Sequence, residues 1–166
     1  FRTELVDMLQ ATLSAPSQVR RYGFRSTLSA TAGDPQLRQV SQLAFATLPI
    51  VIIGFVAKDF IDSELRSITV IATTKLLFGL VLWYADTRPQ QRKTMSFSVA
   101  GWIGLAQCIA LIPGTSRSGI TMTAALLIGL GRTQSARFSF FLAIPTILGA
   151  QMLRLLDISL KEMLAE

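Results

Sequence analysis

Long apolar stretches separated by short charged ones run through most of this chain. Residues 39–57 and 68–85 are each about as long as the ~20 mostly apolar residues that a helix needs to cross a bilayer. Residues 136–156 form a third such stretch, with Pro145 inside it. The pattern predicts an all-α, polytopic integral membrane protein in which these three stretches are membrane segments.

Residues 97–130 show a different pattern. An apolar run up to Ile112 is followed at once by the polar segment Pro113–Gly119, and then by a short apolar run, Ile120–Leu130. A helix of about 11 residues reaches about 16 Å, roughly half of a bilayer. Irregular backbone is tolerated at membrane depth only where protein or a water-filled cavity surrounds it. We therefore predict a re-entrant helix–loop–helix over 97–130, with its second helix beginning near Ile120.

The N-terminal residues 1–38 differ from both patterns. Apolar positions recur at helical spacing over 1–16, and the residues that follow are polar, rich in arginine and interrupted by glycine and proline. This predicts an amphipathic helix and a basic loop within one membrane domain over 1–166. The loops before residue 39 and after residue 85 carry more Lys and Arg than the loop between them, which places both on the cytoplasmic side.

Composition agrees with a membrane protein. The chain is 51% hydrophobic and 16% charged, whereas soluble domains carry about 25% charged residues. The net charge of +6 does not indicate nucleic-acid binding, because the basic residues lie in short loops where anionic lipid headgroups account for them. The sequence contains no histidine, which excludes imidazole-dependent catalysis within this chain and disfavours a transition-metal site.

The segment Pro113–Gly119 (PGTSRSG) concentrates groups that bind anions. Gly114 and Gly119 allow backbone conformations in which successive N–H groups converge on one anion. Arg117 supplies a planar, permanently charged fork that matches phosphate oxygens. Hydroxyl donors are added by Thr115, Ser116, Ser118 and Thr121. The positive end of the following helix lies at the same place.

Two other interpretations of this segment fit less well. A solvent-exposed loop with an incidental arginine is disfavoured, because an arginine at membrane depth costs about 2.5–3.5 kcal/mol even on a lenient scale. A nucleotide-binding P-loop is disfavoured because the GxxxxGK[ST] pattern is absent.

The run from Gln107 to Thr121 (QCIALIPGTSRSGIT), followed by RFSFFLAIP at 137–145, closely resembles the undecaprenyl-diphosphate phosphatase family, also called the bacitracin-resistance family. The resemblance implies a multi-pass hydrolase of the bacterial cytoplasmic membrane. It would convert C55 isoprenyl diphosphate to the monophosphate, recycling the lipid carrier for cell-wall synthesis and conferring bacitracin resistance. It also implies two re-entrant helix pairs related by an inverted repeat.

The same resemblance assigns roles to individual residues. Arg117 would clamp the diphosphate and Ser116 would contact it or assist the chemistry, so these two are the expected catalytic residues. The expected diphosphate-binding residues are Gly114, Thr115, Ser118, Gly119, Thr121 and Gln107. A magnesium or calcium ion is implied by the family and by no ligand cluster in this sequence, so no metal ligand is assigned. The expected partners are the polyprenyl diphosphate and membrane lipids, a homodimer is left open, and nucleic acid is not expected.

One departure from the family pattern concerns its first motif. The pair of glutamates four residues apart, with a serine- and histidine-bearing turn, is absent and should precede Phe1. Phosphoryl transfer needs a positioned base or nucleophile as well as charge stabilisation. We therefore expect this chain to be part of a longer enzyme, also lacking its last spans, and to be inactive alone.

Two alternative functions compete with hydrolysis. A transporter or flippase for polyprenyl phosphate could use the same loop, because inverted repeats and broken helices suit transport as well. Paired glutamates in the intact protein would favour hydrolysis instead. A phosphatase of the phosphatidic-acid type needs two histidines, which this chain lacks. Lys75, near the middle of the second predicted span, is open to both a functional and a snorkelling interpretation.

Overall fold

A computed structural model describes residues 35–57, 61, 67–90 and 94–165, together with positions 6 and 10. The predicted amphipathic helix over 1–16 and most of the basic loop therefore lie outside the described residues. The described residues form helices and no strand, which confirms the all-α prediction. The helices are α1 (Pro35–Val56), α2 (Ile68–Asp86), α3 (Phe97–Gln107) with a 3-10 turn (Cys108–Leu111), α4 (Arg117–Leu127) and α5 (Arg132–Ala165). The chain divides into two compact units, Phe1–Ala44 and Phe45–Glu166.

The described part of the first unit is the beginning of α1. Residues 35–38, which the sequence pattern assigns to the basic loop, form the first turn of this helix. Pro35 suits the first helical position, because its fixed φ is helical and its missing N–H would have no intrahelical partner there. The Ser41 hydroxyl donates to the Arg38 carbonyl at 2.8 Å. Because these first turns contain polar residues, the hydropathy pattern does not show where the helix begins.

In the second unit, serine residues start three helices. Ser67, Ser96 and Ser116 precede α2, α3 and α4, and the hydroxyl oxygen of each accepts a 3.2 Å hydrogen bond from the backbone N–H three residues later. Such N-caps stabilise a helix by about 1 kcal/mol each. Because Ser116 is the cap, α4 begins at Arg117 and not near Ile120 as the apolar pattern predicts.

Helix α4 lies among the other elements of this unit, in contact with α2, α3 and α5. The turn that follows it closes in a Schellman motif around Gly129, whose φ is +95°. The Gly129 N–H donates to Leu126 O at 2.9 Å and the Leu130 N–H donates to Ala125 O at 3.0 Å. The side chain of Leu130 is fully buried. This turn brings α5 back along α4.

Close backbone contact joins α3 to the part of α1 that belongs to this unit. A Cβ atom added to Gly104 would lie 2.7 Å from Ala46 Cα, so the two helices touch without an intervening side chain. Phe45 and Phe97 pack edge to face, with ring centroids 6.5 Å apart. Small residues at a crossing point are typical of helix packing in membranes.

The described helices α1 and α2 are long and apolar enough to cross a membrane by length and composition, and Phe97–Leu111 is a shorter apolar helix. Apolar side chains of α2 face outward, with Leu76 71% and Trp83 70% exposed. The predicted segment 68–85 coincides with α2, 39–57 with most of α1, and 136–156 lies within α5. The range 97–130 contains α3, the 3-10 turn and α4. How these helices cross the bilayer stays a prediction.

Candidate functional site

The PGTSRSG segment leads from the 3-10 turn into α4, and its backbone rests on α2. Gly114 has a φ of +94°, a conformation that side chains disfavour. A Cβ atom at Gly114 would lie 2.5 Å from the Ile71 carbonyl oxygen and 2.7 Å from Ile71 Cα. Glycine is therefore required here twice, for the backbone angle and for the space.

Thr74 of α2 also contacts the segment. Its hydroxyl oxygen lies 2.9 Å from the Pro113 carbonyl oxygen and 2.8 Å from the Val70 carbonyl oxygen of its own helix. Sequence reasoning missed this residue. The available signal is the polar run 73–75 inside an apolar span. Its charged member, Lys75, is exposed.

Thr115 closes the 3-10 turn. Its hydroxyl donates to the Ile112 carbonyl at 2.6 Å, and its N–H donates to the same carbonyl at 3.3 Å. The hydroxyl proton is therefore directed at the backbone, and the oxygen lone pairs remain as acceptors. Contact between Thr115 and a phosphate stays a prediction.

Ser116 and Gly119 form the N-terminal turn of α4. The Ser116 side chain is exposed, and its oxygen accepts from the Gly119 N–H, a bond that leaves the serine proton for another acceptor. A Cβ atom at Gly119 would lie 3.2 Å from Ser116 Cβ, so glycine keeps this turn tight. The Gly119 N–H is thus used within the turn. The N–H groups of Arg117 and Ser118 precede the first intrahelical bond and face the helix end.

Arg117 is half-buried and anchored to α5. Its Nη1 donates to the Ala143 carbonyl oxygen at 3.1 Å. A guanidinium has five N–H groups, so this bond fixes its position while using one of them. A backbone carbonyl as the anchor could not be predicted from the sequence, because every residue carries one.

Thr121 joins the first turn of α4 to α5. It is 1% exposed, and its hydroxyl lies 2.5 Å from the Ser139 hydroxyl and 3.0 Å from the Arg117 carbonyl. Ser139 in turn donates to the Ser118 carbonyl at 3.2 Å. This geometry gives Thr121 a supporting position between two helices, and its contact with a ligand stays a prediction. Ser139 was missed, although the FSFF run that contains it was recognised.

Gln107 ends α3 in a buried position. It is 1% exposed, and its Nε2 donates to the Thr146 hydroxyl at 3.3 Å. Thr146 donates to the Leu142 carbonyl at 2.7 Å. The structure therefore places Gln107 between α3 and α5, and Thr146 is a partner that the sequence did not indicate.

The surroundings of the segment suit an anion. In the described part of the chain, no group of three or more His, Cys, Asp or Glu side chains could hold a metal ion. The segment offers hydroxyl, amide and guanidinium groups, whereas magnesium and calcium bind mainly carboxylate, carbonyl and water oxygens. These residues do not by themselves fit a divalent cation.

A polar contact joins α2 to α5 where α2 ends and α5 begins. Arg132 forms an exposed, bidentate ion pair with Asp86, with Nη2 at 2.8 Å from Oδ2. The Arg132 backbone N–H also donates to Gln90 Oε1 at 3.1 Å. The end of α2 and the start of α5 are thus joined directly.

Comparison with known proteins gives concordant matches. A family profile described as Bacitracin resistance protein BacA matches residues 1–165. An undecaprenyl-diphosphatase of Alteromonas mediterranea is 56% identical over 115 residues, 68% of this chain and 43% of the relative. Undecaprenyl-diphosphatases of Teredinibacter turnerae (50% over 128 residues; 75% and 48%) and Alcanivorax borkumensis (54% over 119 residues; 70% and 45%) are similar to it as well. The chain spans about half the length of the curated relatives it matches.

Proposed function

We propose that this chain, which belongs to the bacitracin-resistance protein family BacA, is the diphosphate-binding part of an enzyme that hydrolyses undecaprenyl diphosphate to undecaprenyl phosphate and inorganic phosphate. Three similar proteins bear the name of that activity. The observation that carries the proposal is the half-buried Arg117, anchored to Ala143 and adjacent to the exposed Ser116 at the start of α4.

The charges at this site match the reaction. A diphosphate carries several negative charges, and further charge develops on its oxygens as the P–O bond breaks. Arg117 retains N–H groups for bidentate contact with phosphate oxygens. The N-terminal end of α4 adds partial positive charge at the same place. Donors held in place before the reaction stabilise the transition state more than mobile ones do.

The remaining residues of the site have different roles, which follow from their positions. Ser116 donates its hydroxyl proton to a phosphate oxygen, and Gly114, Thr115, Ser118 and Gly119 give the segment its shape around the ligand. Thr121 and Gln107 hold the segment and α3 against α5. The proposal assigns no metal-binding role to these residues. A magnesium or calcium ion belongs to it by family resemblance alone, and no step is assigned to that ion.

The finer architecture and location are part of the same proposal. The chain is an all-helical membrane protein, and we place it in the bacterial cytoplasmic membrane as a multi-pass protein. Helix α4 has 11 residues, which reach about half of a bilayer. That length supports a re-entrant pair formed by α3 and α4, with the PGTSRSG segment at membrane depth. The expected substrate is a lipid diphosphate whose tail stays in the bilayer.

The test is phosphate release from C55 diphosphate by the whole purified protein. We expect Arg117→Ala to lower kcat/KM by about 10²- to 10³-fold, the usual loss when one transition-state donor is removed. Arg117→Lys should lose somewhat less of kcat/KM, because lysine keeps the positive charge but lacks the planar guanidinium that binds two oxygens at once. Arg154→Ala, at an exposed arginine of α5, is the matched control and should behave like the wild type.

Two results would contradict the proposal. Near-normal activity of Arg117→Ala would remove the assigned role of this arginine. A wild-type protein that moves C55 phosphate across vesicles without releasing phosphate from the diphosphate would be a transporter.

A further inference from the structure

We infer that Thr74 of α2 is a positioning residue for the PGTSRSG segment, acting through the Pro113 carbonyl and not by touching the substrate. This inference rests on the proposed function. Its basis is the 2.9 Å contact between the Thr74 hydroxyl and Pro113 O, next to the backbone contact between Gly114 and Ile71.

The Pro113 carbonyl needs a donor. It lies in a turn, so no helix supplies its hydrogen bond, and a carbonyl without a partner is costly in an apolar environment. Thr74 is half-buried and presents its hydroxyl to this carbonyl across the helix–segment contact. The carbonyls of Val70 and Ile71, also within reach of that hydroxyl, belong to the interior of a regular helix. A hydrogen bond from the Thr74 hydroxyl therefore stabilises the structure most when the acceptor is the Pro113 carbonyl.

The segment is held from two sides. On one side, α2 contacts Pro113 and Gly114. On the other side, α5 holds Arg117 through Ala143. Loss of the Thr74 hydroxyl leaves the α5 side intact. Arg117 then keeps its anchor, while the segment loses its side-chain hydrogen bond to α2 at Pro113.

This asymmetry predicts how the kinetics change. Diphosphate binding depends mainly on Arg117, so KM should change little. The reaction rate depends on the placement of Ser116 and the start of α4, and small displacements of reacting groups are costly. Removal of the Thr74 hydroxyl should therefore lower kcat more than it raises KM.

The first experiment compares three variants of the whole protein with C55 diphosphate. Thr74→Val keeps the shape and loses the hydroxyl, and we expect kcat about tenfold lower with KM within about twofold. Thr74→Ser keeps the hydroxyl and should restore most of kcat. Thr73→Val makes the same change at the neighbouring, exposed position of α2 and should match the wild type.

The second experiment needs no substrate. Ser116→Cys is introduced in a background without other reactive cysteines, including Cys108, and is labelled with a maleimide. Thr74→Val should raise the labelling rate several-fold, because the segment is held less firmly, and Thr73→Val should not. If Thr74→Val does not fold, Thr74→Ala, which also removes the hydroxyl, takes its place.

The two experiments separate this inference from the proposed function. If the wild type releases no phosphate, the proposed function fails and the labelling rates alone decide the role of Thr74. If Thr74→Val equals Thr73→Val in both measurements, or if Thr74→Ser is as impaired as Thr74→Val, the inference is overturned.

Discussion

Helices α2 and α4 meet at the PGTSRSG segment and differ in length, in polar content and in how much of their surface is exposed. Helix α2 has 19 mostly apolar residues, and its outer side chains, such as Leu76 and Trp83, are exposed. Helix α4 has 11 residues and contains an arginine, a serine and two threonines, and it lies against α2, α3 and α5. Helix α2 is about as long as a bilayer is thick. Helix α4 is shorter, and the helices around it hold it in place. Substitutions at the surface of α2 should therefore be tolerated much better than those at the contacts of α4 and its segment.

The largest expected effect comes from Gly114→Ala, with Gly79→Ala as its control. Gly114→Ala places a Cβ atom 2.5 Å from a carbonyl oxygen of α2 and at a positive φ, so the segment must move. We expect phosphate release from C55 diphosphate to fall more than about 100-fold, as for a displaced catalytic group. Gly79→Ala adds the same atom to α2 with nothing within 4 Å and should leave activity and melting temperature nearly unchanged. Equal effects of the two variants would contradict the contrast between the helices.

A smaller effect is expected at the α4–α5 contact. Thr121→Val keeps the shape of the side chain and removes its hydroxyl, leaving Ser139 without a short hydrogen bond. We expect a loss of about 0.5–1.5 kcal/mol in stability, the usual net contribution of one hydrogen bond, because Ser139 keeps its bond to the Ser118 carbonyl. Thermal unfolding in detergent measures it, with Thr121→Ser as the variant that retains the hydroxyl. If valine is as stable as threonine, the buried hydroxyls do not hold α4 on α5.

The smallest effect is expected at the exposed ion pair. Asp86→Asn removes the charge that faces Arg132 and keeps the side-chain shape. Exposed ion pairs contribute little and are screened by salt. The melting temperature should fall slightly at low ionic strength and match the wild type at high ionic strength. A large loss at both would mean that this pair is needed to join α2 and α5.

The helix ends show what the sequence could and could not predict. Helix α2 was predicted at 68–85 and runs from Ile68 to Asp86, because an apolar run flanked by Ser67 and a charged residue marks both ends. The start of α1 was missed, because Pro35 and the polar residues after it resemble a loop. The start of α4 was placed near Ile120, since the cap at Ser116 lies inside the polar segment.

At the candidate site, the residue types of the PGTSRSG segment could be recognised from the sequence, whereas the residues that anchor the segment could not. Arg117 and Ser116 stand out as polar groups between apolar runs. Folding brings Thr74, Ser139 and the Ala143 carbonyl to the segment from 21 to 39 residues away. A threonine in a short polar run within a span is a weak signal of such a role, and a backbone oxygen has no sequence signature at all.

One turn of α5 has a mechanical consequence. Arg117, from α4, is bound to the carbonyl of Ala143, and Gln107, from the end of α3, is bound to the side chain of Thr146. Pro145 lies between these two anchor points and lacks the N–H that would continue the helical hydrogen bonds. Bending α5 costs least at this turn. A bend there would displace the C-terminal end of α3 and the N-terminal end of α4 together.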